Sequence, residues 1–466
     1  MLADMVGDVQ FSNEDPQKPA TVHIIKPHSP DVVAGYQEGV GLGTTFLEYL
    51  WNGATASDIG KECVSVYRFI VENYTDDHEI WLFGFSRGAF TVRCVAGMIN
   101  NCGIIRRQRC TLSSDQIDRL CYEVFRTYRS DLPIDEPQSE ECKARRNNEK
   151  KVWQVKQPIR CLNAIDTVGA LGIPRLNAGI GIDWAPFEFF DRHVSTAVQH
   201  VRHAPALHDR LWAFEPCLVF PKDESPTVVD QVWFPGVHYD LGRQTFRFLR
   251  QHPMNYVEAA FGWLPNLLSR TIYPNEVLAD NVLKWILEGI RDINDSSTLF
   301  IPAINDKIRK IDERIAAPDP KTLGSGDIYG NLLDHAPAGR ILGPLQKVTS
   351  FLTSSLNSVF PKLGDNIQDL MGIRTIIGIL TATADRKVPG VAADMDAYKA
   401  GEISNAGVRF TVEDNARMRE ENEWKQVRYP SQTYETHQLW DSVFGRQPSS
   451  LGSSVAESSR SRSREE

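Results

Sequence analysis

Apolar and polar residues switch between helical and strand spacing over the first 300 positions, and the switches predict the main elements. Residues 57–74 carry one apolar helical stripe at positions 59, 63, 66, 67, 70 and 74, with Ser57 available as N-cap. The run EIWLFGF at 79–85 has the length of a buried strand, and SRGAFTVRCVAGMIN at 86–100 returns to helical spacing. The pattern therefore predicts helix, strand, tight turn and helix.

Two further apolar runs predict strands. In PIRCLNAIDTVGALG at 158–172 the strand ends at Asp166 and a Gly-containing turn follows, and VVDQVWFPGVH at 228–238 ends at His238. Between the first and second strands, residues 113–129 form an amphipathic helical pattern that Ser113 and Gln116 can begin with a capping box. The charged stretch 134–151 is interpreted as a surface loop. Strands that alternate with helices predict an α/β fold with a mostly parallel sheet.

Beyond about residue 295 the strand signals fade, and the chain is expected to divide there. We predict an α/β domain over 1–295 and an appended, mainly helical region over 296–446. The last twenty residues, 447–466, are rich in Ser and end in SRSRSREE, which predicts a disordered tail. A repeat of twenty to fifty residues is not evident, so solenoids and propellers are set aside.

Composition narrows the class of protein. The chain has 466 residues, and 51 Lys and Arg stand against 60 Asp and Glu for a net charge of −9, which argues against nucleic acid as a partner. The eight cysteines form no CxxC pairs, which favours a reducing compartment over a disulfide framework. Asp4 and Asp8 stand where a signal peptide needs a basic start, and no apolar run approaches about 20 residues. We expect a cytoplasmic protein without a transmembrane segment.

The stretch Gly84-Phe85-Ser86-Arg87-Gly88 satisfies G-x-S-x-G between a predicted strand and a predicted helix. In a nucleophile elbow the serine turns sharply there, so both glycines are expected to be required by crowding. A helix that begins after Ser86 would direct its N-terminal amides at a developing oxyanion, with the Arg87 N–H as first donor. Ser86 is therefore the candidate nucleophile; the alternative is a plain turn serine.

Asp166 and His238 follow Ser86 in the order nucleophile, acid, histidine, and each comes at or just after the end of a predicted strand. An ionised Asp166 at the end of an apolar strand is costly unless it is paired, and the Nδ1–H of a histidine is one such partner. Two alternatives remain open: Asp166 caps the DTVG turn, and His238 is a structural histidine.

Other motifs compete with this interpretation. His193, His200, His203 and His208 form a cluster in which the first two share a helical face, but H-E-x-x-H is absent and Pro205 interrupts the segment. No metal and no organic cofactor is expected. The loop GVGLG at 39–43 lacks the spacing of a phosphate cradle and favours a substrate-side loop or a turn.

Several stretches together resemble the α/β-hydrolase family named after phospholipase effectors of type VI secretion. They are YQEGVGLGT at 36–44, NYTDDHEIWLFGFSRGAFTVRCVAGMI at 73–99, NAIDTVGALGIP at 163–174, HAPALHDRLWAFEPCL at 203–218 and VWFPGVHYDLG at 232–242. The resemblance covers roughly the first 290 residues. It implies a serine hydrolase that acts on ester bonds, with Ser86 as nucleophile, Asp166 as acid and His238 as base.

The chain departs from this family at two places. No Asp-Gly-Thr triplet precedes the GVGLG loop, so the opening strand and a second oxyanion donor are expected to be missing. After the histidine, Gly242-Arg243-Gln244-Thr245-Phe246 stands where the family runs through several glycines.

The predicted function is cleavage of a carboxylic ester, of a lipid or phospholipid, through an acyl-enzyme. The expected partner is an ester substrate, with peripheral membrane contact through an apolar surface at Ile376, Ile377, Ile379 and Leu380; a core stripe is the alternative for these four. Two other functions stay open: a catalytically impaired binding protein and an esterase for a small soluble ester.

Overall fold

The computed structural model describes residues 1–11, 22–39, 56–107, 112–130, 132–168, 194–207, 209, 216–222, 224–247, 271–295, 299–319, 408–409, 411 and 413–414. Its central element is a five-stranded sheet of β4 (Ile80–Phe85), β5 (Ile159–Ile165), β6 (Val198–Ala204), β7 (Val228–Trp233) and β10 (Val408–Arg409). The strands lie in the order β10-β7-β6-β5-β4. Strands β4, β5, β6 and β7 are parallel and β10 pairs antiparallel to β7, which confirms the predicted α/β class with a mostly parallel sheet.

Helices cover one face of this sheet. They are α2 (Ala56–Asn73), α3 (Arg87–Cys102) and α4 (Ser114–Tyr128), and their apolar faces share a core with Leu82, Leu162 and Val201 of the sheet. The α2 stripe includes Ile59, Cys63, Tyr67 and Ile70, all buried as the spacing predicts. The capping box of Ser113 and Gln116 is present at the start of α4.

A second core covers the other face, because alternate residues of a strand point to opposite sides. Trp81 and Phe83 of β4 pack there, with α7 (Glu276–Ile293) and α8 (Ile304–Ala316). The same core takes in α1 (Leu2–Val6) and a small antiparallel sheet of β1 (Gly7–Gln10), β2 (Val22–Pro27) and β3 (Ala34–Gln37). The short elements β8 (Phe246–Arg247) and β9 (Thr271–Ile272) pair with each other.

Two local interpretations of the sequence are wrong. The stretch 134–151 is not only a loop: it contains α5 (Glu140–Arg146), which Ser139 caps through the Cys142 N–H at 3.1 Å. Residues 198–204 form the strand β6 rather than the helical face inferred for His193 and His200. The strand carries polar residues that find partners inside the fold, such as Arg202, whose guanidinium lies 3.7 Å from the Trp285 ring centroid and donates to the Trp285 carbonyl.

The described residues after position 295 contact the α/β unit directly. In α8, Ile304, Ile308 and Ile311 are buried in the core shared with α7. Arg409 of β10 donates to both carboxylate oxygens of Asp230 on β7. The division at residue 295 stays a prediction, and the tail at 447–466 lies outside the described residues, as do Ile376, Ile377, Ile379 and Leu380.

Candidate active site

Ser86 occupies a strained turn between β4 and α3. Its backbone has φ 59° and ψ −123°, a conformation that a residue with a side chain seldom adopts and that is held by its surroundings. Its N–H donates to the Ile165 carbonyl at the end of the neighbouring strand, at 2.9 Å, and its carbonyl accepts from Phe90 in the first turn of α3. The serine is therefore fixed on the sheet edge where β4 and β5 both end.

The glycines two residues on either side of Ser86 are under different constraints. A Cβ at Gly84 would lie 2.4 Å from the Gly88 carbonyl oxygen and 2.6 Å from the Ala89 Cα, whereas a Cβ at Gly88 would meet no atom within 4 Å. Crowding at the elbow therefore explains Gly84, and the expectation that it also explains Gly88 is wrong.

The two glycines give a matched pair of variants. Gly84→Ala should lower the free energy of unfolding by about 1–3 kcal/mol or more, because the backbone of α3 must move away from β4. Gly88→Ala should unfold at nearly the wild-type denaturant concentration. Chemical denaturation of both variants measures the difference, and equal stability of the two would contradict this packing of the elbow.

His238 joins Ser86 and Asp166 in one hydrogen-bonded chain. Its Nε2 lies 2.8 Å from Ser86 Oγ and its Nδ1 lies 2.7 Å from Asp166 Oδ2. The carboxylate accepts the Nδ1 proton, which leaves the Nε2 lone pair directed at the serine hydroxyl. The exposed fractions are 6% for Ser86, 0% for Asp166 and 2% for His238, so these contacts form out of bulk water. The structure brings all three predicted residues together.

Asp166 lies at the end of β5 with a positive φ of 38°. Its N–H donates to the carbonyl of Ala204, the last residue of β6, and its Oδ1 accepts the N–H of Ala206, just after that strand, at 2.8 Å. Each carboxylate oxygen thus has a donor, which makes a fully buried carboxylate tolerable. These two contacts orient the carboxylate toward His238.

A backbone hydrogen bond and a stacked aromatic ring also hold the imidazole of His238 in place. His238 begins a one-turn helix, α6 (His238–Leu241), and its N–H donates to Oδ2 of the buried Asp209 at 2.8 Å. The Phe85 ring stacks on the imidazole with centroids 4.7 Å apart and planes at 30°. Neither Phe85 nor Asp209 was recognised from the sequence, although both lie in stretches that carry the family resemblance.

A second buried histidine supports the Asp166 turn. His203 Nδ1 lies 2.9 Å from Gln231 Oε1, and this oxygen also accepts the Val219 N–H, so it identifies Nδ1 as the protonated nitrogen. His203 Nε2 then accepts the N–H of Thr167, next to Asp166, at 3.4 Å. Burial, together with the Arg93 cation, lowers the pKa of His203 to about 4. His203 is therefore a neutral side chain that supports the Asp166 turn through hydrogen bonds.

The depressed pKa of His203 predicts acid sensitivity. Between pH 6.5 and pH 4 the unfolded chain binds a proton at this histidine and the folded chain does not, so stability falls as the pH is lowered through this window. The contribution is about 3 kcal/mol. His203→Gln keeps an acceptor for Thr167 and removes the titration, so its free energy of unfolding should vary less with pH. An equally steep pH dependence in wild type and variant would contradict the assignment.

The competing histidine cluster is only partly described. His203 and His200 lie on β6, while His193 and His208 lie outside the described residues. Within the described ranges no group of three His, Cys, Asp or Glu side chains is arranged to hold a metal ion. Residues 40–43 of the GVGLG loop also lie outside the described residues, so its interpretation as a substrate-side loop or a turn stays a prediction.

Arg87 is the first residue of α3, a helix of 16 residues. Its backbone N–H belongs to the first turn of the helix, where the amide N–H groups point along the helix axis toward Ser86. The positive end of the helix dipole lies at this position, directly after Ser86. The arrangement can stabilise negative charge on an oxygen bound next to the serine.

Comparison with known proteins places this chain in a family. The model of the catalytic domain of Tle1-like phospholipase effectors of the type VI secretion system matches residues 17–288, more than half of the chain. The chain belongs to this Tle1-like family. The matched stretch contains the serine, the aspartate and the histidine described above, and the α/β-hydrolase-like expectation for the fold is confirmed.

Two individual proteins are similar over shorter stretches. The uncharacterized protein YEL023C of Saccharomyces cerevisiae is 24% identical over 211 residues, which are 42% of this chain and 29% of the yeast protein. The structure of the Tle1 effector bound to the VgrG spike of the type 6 secretion system is 22% identical, covers 43% of this chain and 33% of that chain, and has a TM-score of 0.20. The chain therefore spans about a third of the length of each relative.

The name of this family describes phospholipase effectors. Among the helices of the described residues, none combines the length and the apolar character needed to cross a bilayer.

Proposed function

We propose that this chain is a serine hydrolase that cleaves a carboxylic ester of a lipid or phospholipid. Ser86 is the nucleophile, His238 the general base, and Asp166 the residue that orients and stabilises the imidazole. The observation that carries the proposal is the chain of contacts from Ser86 Oγ through His238 to Asp166, at 2.8 and 2.7 Å. A turn serine and a structural histidine need no such alignment.

The acylation step uses the described atoms in sequence. Ser86 Oγ attacks the ester carbonyl while its proton passes to His238 Nε2, and the carbonyl oxygen becomes an oxyanion. The Arg87 N–H donates to this oxygen from the start of α3. When the tetrahedral intermediate collapses, the bond to the leaving alcohol breaks, the alcohol takes the proton from His238, and the acyl group remains on Ser86.

Water completes the cycle by the same path. His238 accepts a proton from a water molecule, whose oxygen attacks the acyl carbonyl. The second tetrahedral intermediate breaks at the bond to Ser86 Oγ, which regains its proton from His238. A carboxylic acid leaves, and the free enzyme is restored. The negative Asp166 stabilises the imidazolium that forms in each half of the cycle.

The family's name, which describes phospholipase effectors, supports a lipid as the substrate class. The decisive test is to incubate the purified full chain with mixed micelles of a defined phosphatidylcholine and to identify the products by mass spectrometry. Free fatty acid and lysophosphatidylcholine are expected, and Ser86→Ala should form neither. Diacylglycerol or phosphatidic acid would mean cleavage at the phosphate and would contradict an acyl-enzyme on Ser86.

A second assay separates lipid from small-ester hydrolysis. The rate on a short-chain ester is measured below and above its critical micelle concentration. A rise on micelle formation supports a lipid substrate, whereas a rate that follows only the monomer supports an esterase for small soluble esters. A folded wild-type chain that cleaves neither substrate would support a binding protein on a hydrolase fold.

A further inference from the structure

A cluster of charged side chains anchors the turn that follows His238. The Arg243 guanidinium donates through Nη1 to Asp280 Oδ1 at 2.8 Å and through Nη2 to Glu276 Oε1 at 2.9 Å, both on α7. The Asp280 side chain is only 2% exposed. Arg314 of α8 donates two hydrogen bonds of 2.8 Å to the same carboxylate, one to each oxygen. A buried carboxylate thus joins the histidine turn to two helices.

The turn between Val237 and Arg243 connects the anchored Arg243 to the imidazole of His238. The Gly242 N–H donates to the His238 carbonyl at 3.2 Å, and the Arg243 N–H donates to the Asp240 carbonyl at 3.0 Å. The Gly242 Cα lies against the Phe85 ring so closely that an added Cβ would come within 2.2 Å of it. Phe85 in turn stacks on His238. Displacement of the turn would therefore move both the backbone of His238 and the ring beneath its imidazole.

The backbone at Arg243 is itself held by this anchor. Its φ is +50°, a left-handed conformation that a residue with a side chain adopts at some cost. This chain therefore has a long cation at a position where glycine, which has no Cβ, would adopt the same conformation without strain. The strain is consistent with a side chain that is needed for its contacts.

We propose that Arg243 is a positioning residue for His238, anchored on Asp280, and that Arg314 completes the anchor from α8. The inference rests on the proposed function, because positioning of His238 has a meaning only if His238 is the base. It extends that function beyond residue 288, where the match to the family catalytic domain ends. Residues of α8 are then part of what makes the site competent.

Variants of Arg243, with a control at Arg309, separate an effect on the position of His238 from an effect on the stability of the fold. In Arg243→Gln, Asp280 keeps both of its bonds to Arg314, so the buried carboxylate remains compensated and the fold should persist. Arg243→Lys restores the positive charge. The lysine ammonium can bind Asp280 or Glu276, but it lacks the two separate nitrogens with which the guanidinium binds both. Arg309→Gln is the matched control, because it removes an exposed arginine that pairs with Glu313 on α8.

The experiment measures kcat, KM and the pH profile on a soluble short-chain nitrophenyl ester, and hydrogen exchange over residues 233–247. Arg243→Gln should lower kcat about 10–100-fold, since small misplacements of a reacting group cost up to about 10²-fold. KM and the midpoint of the acidic limb should stay at their wild-type values, and the amides of 237–243 should exchange faster. Arg243→Lys should recover part of kcat, Arg314→Gln should show a smaller loss, and Arg309→Gln none.

Several results would overturn the proposal. A kcat within twofold of wild type in Arg243→Gln means that the anchor does not position His238. If the acidic limb of the pH profile moves to higher pH in Arg243→Gln while the maximal kcat is unchanged, Arg243 acts through its charge and not by positioning His238. An equal loss in Arg309→Gln, or a loss of the folded state in both Arg243 variants, means a general effect on stability. If wild type itself cleaves no ester, the proposed function fails, and that failure is recognised because the unmutated chain is inactive.

Discussion

The Ser86→Ala variant is expected to lose about 10⁶-fold in kcat for ester hydrolysis, which is the size of loss seen when a nucleophile is removed from a serine hydrolase. The methyl group cannot form the acyl-enzyme, and the hydrogen bond from Oγ to His238 Nε2 disappears. What remains is the contribution of substrate binding and oxyanion stabilisation, worth about 10³–10⁴ over the reaction in water. Steady-state kinetics with a chromogenic ester measures the loss.

Ser130→Ala serves as the control for Ser86→Ala, because it removes a hydroxyl from the turn after α4, where Ser130 accepts the Leu132 N–H. It should keep the wild-type rate. Thermal unfolding of both variants checks that the fold is intact. Residual hydrolysis of more than a few per cent in Ser86→Ala, free of contaminating esterase, would mean that another group attacks the ester.

The Asp166→Asn variant should lose about 10⁴-fold in kcat while its fold persists. The amide oxygen will occupy the Oδ1 position, because that atom accepts the Ala206 N–H. The amide NH₂ group then faces His238 Nδ1 in place of Oδ2 and donates to it. The imidazole is forced to carry its proton on Nε2, where it cannot accept the proton of Ser86.

A control for Asp166→Asn removes a carboxylate elsewhere. Asp118→Asn breaks a surface ion pair with Arg68 and should leave kcat unchanged. A tautomer effect changes kcat far more than KM, because the amide alters proton transfer and leaves the substrate site in place. Full activity in Asp166→Asn would mean that the aspartate only fastens the turn to Ala206.

Local patterns in the sequence predicted the elements that carry the site. Three of these patterns involve only residues close together in the sequence: the helical stripe of α2, the apolar strand β4 and the capping box of α4. The structure confirms each. The order serine, aspartate, histidine and their positions after strands led to Ser86, Asp166 and His238, which the structure brings into contact. In a parallel sheet the ends of successive strands meet at one edge, so strand order alone approximates proximity.

Signals that depend on distant partners were missed. β6 was not predicted because VQHVRHA lacks an apolar run, and its polar side chains are satisfied only by residues far along the chain, such as Trp285 for Arg202 and Gln231 for His203. The supports of His238 are equally non-local: Asp209 accepts its N–H, and Arg243 reaches Asp280 across 37 positions. No spacing rule connects these pairs.

The most direct test of the account is covalent labelling of the purified full chain by a fluorophosphonate probe, with the adduct located by peptide mass spectrometry. The probe reacts with an activated serine and does not require the natural substrate. We expect wild type to be labelled at Ser86, and neither Ser86→Ala nor His238→Ala to be labelled at a comparable rate. A folded wild-type chain that stays unlabelled, or labelling that persists in Ser86→Ala, would contradict the assignment of Ser86 as the nucleophile.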